Sequence, residues 1–87
     1  MHKLMIIEKR GYMDCLKRAI SEIPQLNVGE EFLVKDLFKG YEWNRLGIGE
    51  RRTLGSLFLN EVKNGQLQNK IEVVNKNSAN QQLYVKV

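Results

Sequence analysis

One stretch, "GIGERRTLGSLFLNEVKNG" (residues 47–65), constrains the fold more than any other part of this 87-residue chain. Its apolar residues recur at intervals of three and four, which is the spacing of one face of an α-helix. They are Leu54, Leu57, Phe58 and Val62. The turn "GIG" precedes the pattern, and Asn64-Gly65, a typical C-terminal cap, follows it. We therefore predict a long helix over residues 50–64, with one face packed against a core.

The opposite face of this predicted helix carries hydrogen-bond donors and no carboxylate. At about 100° per residue, the outward positions are Arg52, Thr53, Ser56, Asn60 and Lys63. A merely solvated face usually mixes both charge signs, because opposite charges four residues apart attract; that interpretation stays open. Arg51 and Arg52 lie in the first turn, where the helix dipole disfavours cations. We therefore expect these two arginines to contact phosphates.

Gly55 lies inside the same predicted helix, where a glycine costs roughly 1 kcal/mol relative to alanine. Either the backbone of another element packs closely against it, or a ligand approaches it there. Because Gly55 falls near the core side of the helical wheel, we expect close packing against the first or second helix.

The N-terminal third predicts a second helix. Residues 12–23 place apolar side chains on one helical face, and Pro24 ends the helix because the residue before a proline avoids the α conformation. The apolar positions are Tyr12, Cys15, Leu16, Ala19, Ile20 and Ile23. Cys15 is the only cysteine, so we expect a buried structural thiol and no internal disulfide. The segment "LMII" (4–7) is either a short strand or an ordered arm.

Three further segments complete the order of elements. "EEFLV" (30–34) predicts a short buried strand, and residues 35–46 predict a short helix loosened at Gly40. "KIEVV" (70–74) and "QLYVKV" (82–87) alternate around the polar tip "NKNSANQ", which predicts a hairpin. Helix, strand, helix, turn, long helix and hairpin is the order of a winged helix-turn-helix domain. We predict this α+β fold, with three helices, a short strand and a C-terminal β-hairpin wing.

The domain organisation and the charge distribution follow from the same survey. The chain is predicted to be a single winged-helix-like domain over residues 1–87, with residues 1–10 as the strand or arm. Residues 1–34 carry five basic and five acidic side chains, whereas residues 35–87 carry nine and five. This excess favours a polyanionic partner. The alternative, that a small domain is slightly basic for no functional reason, stays open from charge alone.

Aromatic residues beside cations indicate places where nucleobases stack. Tyr84 alternates out of phase with Leu83 and Val85, so we expect it to point away from the core beside Lys86. The alternative is a cross-strand aromatic that covers the sheet. In "KGYEWNR" (39–45) basic and aromatic residues alternate; we expect its tryptophan in the core and leave its tyrosine open. The candidate DNA-binding residues are Arg51, Arg52, Ser56, Asn60, Lys63, Lys76, Tyr84, Lys86, Lys39, Tyr41 and Arg45.

Other function classes find little support. No catalytic triad, carboxylate pair or metal-ligand cluster is present, and the one histidine is His2. Gly47-x-Gly49 lacks the lysine of a phosphate-binding loop and is a turn. We therefore expect no enzymatic activity, no catalytic residues, no cofactor and no metal. The apolar run at residues 4–7 is too short for a signal peptide or a membrane span, so we expect a cytoplasmic protein with no membrane partner.

Between "NVGEEFLVKDLF" and "GERRTLGSLFLNEVKNG" the chain resembles a family of small proteins from Gram-positive bacteria and their mobile elements, long catalogued as a domain of unknown function. The family pattern is "VG-x-x-F-x-(V/L)-K-D-L-F", a tryptophan, "G-E-R-x-x-L-G-x-x-F-x-x-x-V" and a polar hairpin. The matching residues are Val28, Gly29, Phe32, Val34 to Phe38, Trp43, Gly49, Glu50, Arg51, Leu54, Gly55, Phe58 and Val62. The resemblance covers about residues 28–87.

A winged-helix member of this family, carried on staphylococcal cassette chromosome elements beside replication genes, binds single-stranded rather than double-stranded DNA. The resemblance therefore implies a single-stranded DNA-binding accessory of mobile-element replication or transfer, with a polymerase or helicase as a further partner. It assigns no contact residues. We expect Arg51, Arg52, Lys63 and Lys76 to hold phosphates, and Tyr84 or Tyr41 to stack on bases. A duplex-binding transcriptional regulator and a protein-binding adaptor of a replication complex remain alternatives, and a homo-oligomer stays open.

Overall fold

A computed structural model describes residues 14–87 of the chain. The predicted arm at residues 4–7, His2 and Tyr12 lie outside the described residues. Helix α1 occupies residues 14–22 of the described part and continues into a 3₁₀ turn, Ile23–Gln25. Its buried residues are Leu16, Ala19 and Ile23, with Cys15 and Ile20 packed beside them. The predicted apolar face is thereby confirmed for the described residues.

The predicted helix over residues 35–46 is wrong in its extent, since two shorter elements replace it. Strand β1 (Glu31–Phe32) leads into a 3₁₀ turn, Val34–Leu37, and helix α2 then covers Gly40–Asn44. The backbone is extended at Phe38 and Lys39, which separates the two elements. A new N-terminus forms there because the Glu42 carboxylate accepts the Lys39 N–H at 2.9 Å.

The long helix, α3, is confirmed and covers Ile48–Asn64, so that it begins two residues before the predicted start. The Glu50 carboxylate accepts the Gly47 N–H at 2.8 Å and thereby caps the first turn. At the other end the Gly65 N–H donates to the Glu61 carbonyl at 3.0 Å. The core face is confirmed as well, because Leu54, Phe58 and Val62 are buried and Leu57 is partly buried.

The predicted strand and the predicted hairpin form one antiparallel sheet. Strands β2 (Ile71–Val73) and β3 (Tyr84–Lys86) pair as expected, and β1 adds to the other edge of β3, giving the order β1-β3-β2. In this register Phe32 and Val73 both pair with Tyr84. Directly paired residues share a face of a sheet, so Tyr84 lies on the face of Phe32 and Ile71, which is the buried one.

The prediction that Tyr84 points away from the core is therefore wrong. Its side chain is 1% exposed. The ring stacks on Phe32 with centroids 5.8 Å apart, and it meets Phe58 of α3 edge-on at 5.0 Å. The side of the sheet that carries Tyr84 packs against α3, and the side that carries Val85 does not, because an aromatic ring removes more apolar surface from water than a valine does. Val85 lies on the opposite face, paired with Glu31 and Glu72.

The described residues thus form an α+β domain, with three helices and a three-stranded antiparallel sheet around one core. The buried residues of that core are Leu16, Ala19, Ile23, Phe32, Leu37, Leu54, Phe58, Val62, Leu67, Ile71 and Tyr84. Within residues 14–87, no helix combines the length and the apolar character needed to cross a membrane.

Candidate nucleic-acid interface

An open groove of about 680 Å³ runs along α3, between the segment that follows β1 and the loop that joins β2 to β3. We call it the α3 groove. The residues that line it are Leu33, Val34, Lys35, Trp43, Ile48, Arg51, Arg52, Gly55, Ser56, Leu59, Lys76, Asn80, Gln81, Gln82 and Tyr84. Four predicted contact residues that are accessible line the groove together: Arg51, Arg52, Ser56 and Lys76.

The lining of the α3 groove carries one sign of charge. Of the residues from 14 to 87, four cations line it and no carboxylate does. Nearby acids are engaged in capping the helices, as Glu42 and Glu50 show. Within residues 14–87 the one ion pair joins Arg18 to Glu42 at 3.1 Å, and neither residue lines the groove. Because none of these cations forms an ion pair with a carboxylate of the described residues, the groove attracts anions.

Arg51 is fixed in the wall of the α3 groove by Trp43. Its Nη2 donates to the Trp43 carbonyl at 3.2 Å, and its Cζ lies 5.3 Å from the centroid of the indole ring. Its Nε is buried and has no hydrogen-bond partner among the described residues. Trp43 is half-buried and also packs on Phe38, with ring centroids 5.8 Å apart. The predicted core position of Trp43 is thus only partly right, since the tryptophan also borders the groove.

The opposite wall is an ordered loop. The backbone N–H of Asn77 donates to the Gln81 carbonyl at 3.0 Å, and the Asn77 side-chain oxygen accepts the N–H groups of Ala79 and Gln81 at 3.0 and 2.9 Å. The Gln82 amide donates to the Val74 carbonyl. These bonds hold the tip of the hairpin, and Lys76 with it, at the rim of the groove.

Gly55 lies on the floor of the α3 groove, and the predicted close packing against another helix is wrong. Apart from its own helical turn, no heavy atom of residues 14–87 lies within 4 Å of the position that a β-carbon would take. The physical reason is that Gly55 lies between the buried and the exposed sides of α3 and lines an open groove. Close packing by another element of residues 14–87 therefore does not explain the glycine.

A second cationic and aromatic surface lies outside the α3 groove, on α2. Tyr41 is 54% exposed. The Lys39 Nζ and the Arg45 Cζ lie 5.9 and 5.0 Å from the centroid of its ring. We call these three residues the Tyr41 patch. The sequence left the position of Tyr41 open, and the structure places it in solvent with a cation on either side in the chain.

The remaining predicted contact residues are not part of the groove's cationic lining. Asn60 and Lys63 are exposed on α3 beyond the groove, and the Asn60 side-chain oxygen accepts a hydrogen bond from Asn64 at 3.2 Å. Lys86 is half-buried, and its Nζ donates to the Ile23 carbonyl at 3.0 Å. Its predicted place beside an outward Tyr84 is therefore wrong. Tyr84 lies beneath the groove with its ring covered by core aromatics.

Several groove residues were missed from the sequence. Lys35 lies in the 3₁₀ turn that leads to α2, and Asn80, Gln81 and Gln82 belong to a tip that was interpreted as solvated. Ile48 is 68% exposed at the start of α3. The sequence signal that could have indicated this groove residue is an isoleucine that stands between two glycines and outside the core pattern of the helix.

Cys15 is the one cysteine among the described residues, and it is partly buried. Burial, together with the nearby Asp14 carboxylate, raises the pKa of the Cys15 thiol above its ordinary value. The thiol therefore stays protonated at neutral pH, unlike an activated nucleophile. Across residues 14–87 no three His, Cys, Asp or Glu side chains lie together as metal ligands would.

Comparison with known proteins gives a family and a fold. A solved structure described as "SCCmec type IV LP1413 - nucleic acids binding protein" is similar to this chain with a TM-score of 0.67 and 22% identity, over 87% of this chain and 86% of that one. No curated protein matches the sequence. The sequence model of the family described as "Domain of unknown function (DUF1413)" matches residues 17–86, which confirms the resemblance. The chain belongs to this family of domains of unknown function.

Proposed function

We propose that this chain is a single-stranded DNA-binding protein of winged-helix architecture, acting as an accessory in the replication or transfer of a mobile element. One observation carries the proposal. In the described part of the chain, the α3 groove is lined by four cations and no carboxylate, and it also has apolar walls. Single-stranded binding sites combine cations that track phosphates with surfaces against which unpaired bases pack.

The apolar part of the groove favours a single strand over a duplex. Val34, Trp43 and Leu59 line it alongside the cations. In a duplex the faces of the bases are stacked on one another, so an apolar wall gains contact only with sugars and groove edges. In a single strand the base faces are free to pack against such a wall. The exposed Tyr41 ring offers a further surface for stacking.

The order of elements supports the winged-helix assignment. In that architecture α2 and α3 are the helix-turn-helix, and β2 and β3 are the wing. The printed name of the structural neighbour describes a nucleic-acid-binding protein. The replication or transfer role, with a polymerase or helicase as partner in the cytoplasm, rests on the resemblance to proteins of mobile elements. We propose a binding role rather than a catalytic one, because among the described residues the groove offers cations and amides but no Cys, His, Asp or Glu side chain.

A duplex-binding regulator is the second candidate, and the outward face of α3 favours it. That face is exposed at Arg52, Thr53, Ser56, Asn60 and Lys63, as a helix in the major groove requires. Two of its polar groups already bond within the helix, however. The Thr53 hydroxyl donates to the Gly49 carbonyl at 3.0 Å, and Asn60 pairs with Asn64. Few side chains remain to read base edges, which makes this the weaker candidate.

Fluorescence anisotropy with a labelled mixed-sequence strand, and with the same strand annealed to its complement, tests the proposal. We expect tighter binding of the single strand. If all four cations of the groove contact phosphates, the slope of log affinity against log salt is about −3. Combined charge reversal, Arg52→Glu with Lys76→Glu, abolishes most of the binding. Equal or tighter duplex binding sinks the proposal.

A matched control is Lys17→Glu, since Lys17 is exposed on α1 and does not line the groove. This variant reverses one charge at a distance from the groove. It therefore measures what general electrostatic attraction contributes. If reversing Arg52 and Lys76 one at a time weakens binding no more than Lys17→Glu does, the groove is not the binding site.

A further inference from the structure

Gly55 is the feature of α3 that the fold does not account for. Glycine destabilises a helix interior, because it loses more conformational freedom on folding than any other residue. Its backbone is helical, and the β-carbon of an alanine at this position would meet nothing within 4 Å among the described residues outside its own turn. No turn, positive φ or close approach within residues 14–87 requires a glycine here.

We propose that the α3 groove holds one unstacked nucleobase of the bound strand, with the face of the base lying on the helix backbone at Gly55. This inference rests on the proposed function and gives it a specific mode of binding. The phosphates on either side of that base lie on the cations at the rim. Gly55 is then a residue that determines how deeply the strand enters the groove.

The arrangement along α3 fits this mode. Arg51 lies one helical turn before Gly55 and Leu59 lies one turn after it, so that one stripe of the helix presents a cation, a gap and an apolar side chain. All three residues line the groove. A base over the gap packs on Leu59, while Arg51 meets its sugar-phosphate. The backbone supplies a flat floor because no side chain rises from Gly55.

The other walls provide what the rest of a nucleobase needs. Ile48 is 68% exposed and lines the groove, so its side chain is available to pack against the face of a base. Across the groove, Asn80 presents an exposed carboxamide, which donates and accepts hydrogen bonds as base edges do. The Gln81 side-chain oxygen accepts a hydrogen bond from the Asn77 amide at 3.1 Å, so Gln81 has its amide N–H groups to offer. The volume of about 680 Å³ lies within the roughly 300–1,000 Å³ typical of small-molecule sites.

The test uses two probes of equal length, a labelled oligothymidylate and the same backbone with abasic residues. We expect wild-type protein to bind the oligothymidylate at least about tenfold more tightly, which corresponds to one well-stacked base. Gly55→Leu removes the part of this preference that the α3 groove supplies, because the new side chain fills the gap, whereas the part supplied by Tyr41 remains. Its salt slope stays that of wild type, since the cations are unchanged.

Stability measurements separate a binding defect from a folding defect. Leucine and alanine favour helix over glycine, so Gly55→Ala raises the thermal midpoint by about 4–8 °C while weakening binding to oligothymidylate. The matched control is Gly49→Leu. Gly49 is exposed in the first turn of α3, has nothing within 4 Å of a β-carbon and does not line the groove. We expect this variant to bind as wild type does.

The outcomes distinguish this inference from the proposed function. If wild-type protein binds neither probe with salt dependence, the proposed function fails. If wild-type protein binds oligothymidylate but Gly55→Leu binds it equally well, only the nucleobase site is overturned. An abasic strand bound as tightly as oligothymidylate overturns it too, and so does a Gly55→Ala variant that melts below wild type, because the fold then requires the glycine.

Discussion

Two tyrosines of this chain have basic neighbours in the sequence and occupy opposite environments. Tyr84 stands two residues before Lys86 and is 1% exposed, whereas Tyr41 stands between Lys39 and Arg45 and is 54% exposed. Tyr84 packs between β1 and α3, against Phe32 and Phe58. Tyr41 contacts only its cations among the aromatic and cation–π contacts of the described residues.

The difference shows that a tyrosine near a lysine or arginine in the sequence forms an exposed patch with it only if their face of the strand or helix points to solvent. Residues two apart on a strand lie on one face, so Tyr84 and Lys86 do share a face, but that face points at α3. Lys86 follows it inward to the Ile23 carbonyl. On α2 the spacing of four residues brings Arg45 over Tyr41, and nothing in residues 14–87 covers that side. A tyrosine with basic neighbours in the sequence is thus a buried core residue in one case, Tyr84, and part of an exposed patch in the other, Tyr41.

The difference between the buried and the exposed tyrosine has its largest expected effect on the free energy of unfolding. We expect Tyr84→Ala to lower the free energy of unfolding by about 3–5 kcal/mol, because it leaves a cavity where three aromatic rings meet. That is a large fraction of the roughly 5–15 kcal/mol that stabilises a typical domain. Tyr41→Ala changes the free energy of unfolding by less than about 0.5 kcal/mol. Urea denaturation followed by circular dichroism measures both.

For single-strand binding we expect the opposite order, with a larger effect from substituting Tyr41 than from substituting Tyr84. If Tyr41 stacks on a base, Tyr41→Ala weakens single-strand binding by about 1–3 kcal/mol. Tyr84→Phe serves as the control for the core, since it keeps the ring, and we expect it to bind single strands as wild type does. The contrast breaks if Tyr41→Ala destabilises the fold as much as Tyr84→Ala, or if it leaves the affinity unchanged.

A smaller effect on stability appears at high pH. Burial raises the pKa of Tyr84 from 10.0 to about 12. The unfolded chain loses this proton near pH 10, whereas the folded chain keeps it until about pH 12. The contribution of Tyr84 to stability is therefore complete below pH 10 and is lost as the pH rises towards 12. The loss is about 2–3 kcal/mol over this range.

Urea denaturation at several pH values between 9 and 12 measures this loss, with Tyr84→Phe as the control. Lysines also titrate in that range, and the variant retains their contribution. We expect the stability of Tyr84→Phe to fall less steeply than that of wild type. Parallel curves for the two proteins would mean that the Tyr84 hydroxyl ionises as it does in water.

The sequence predicted most about α3 and least about the short elements. Over 17 residues the helical period repeats often enough to identify the core face, and Asn64-Gly65 marks the end. Strands of two or three residues hold too few positions for alternation to decide which face is buried. The face of Tyr84 depends on its pairing with Phe32, about fifty residues away in the chain, and no local pattern encodes that register.

The candidate site was predictable only in part, for a related reason. Arg51, Arg52 and Ser56 follow from the helix alone. The α3 groove, however, needs two further segments, which bring Lys35 and Lys76 to its rim. Gly55 shows the limit of local reasoning most clearly. The helical wheel placed it near the core, but whether a neighbour packs there depends on where the other elements run.

Two lysines of the hairpin differ in environment as the two tyrosines do, and we expect their substitutions to have the smallest effects on stability and binding. Lys86 donates to the Ile23 carbonyl at 3.0 Å and is half-buried, whereas Lys76 is exposed at the rim of the groove. Lys86→Met removes a hydrogen bond and keeps most of the apolar stem, so we expect a loss of about 1 kcal/mol in stability and an unchanged salt slope. Lys76→Met leaves stability within about 0.5 kcal/mol of wild type and makes the salt slope shallower by about 0.7.

Denaturation and anisotropy on the same two variants measure these effects. Methionine at both positions removes the charge alike, so that any difference between the variants reports the environment of each lysine. If Lys86→Met changes the salt slope as Lys76→Met does, the Lys86 ammonium reaches DNA and leaves the Ile23 carbonyl when the strand binds. If neither variant changes the slope, phosphate contacts are confined to α3 and the 3₁₀ turn, and the hairpin acts only as a wall.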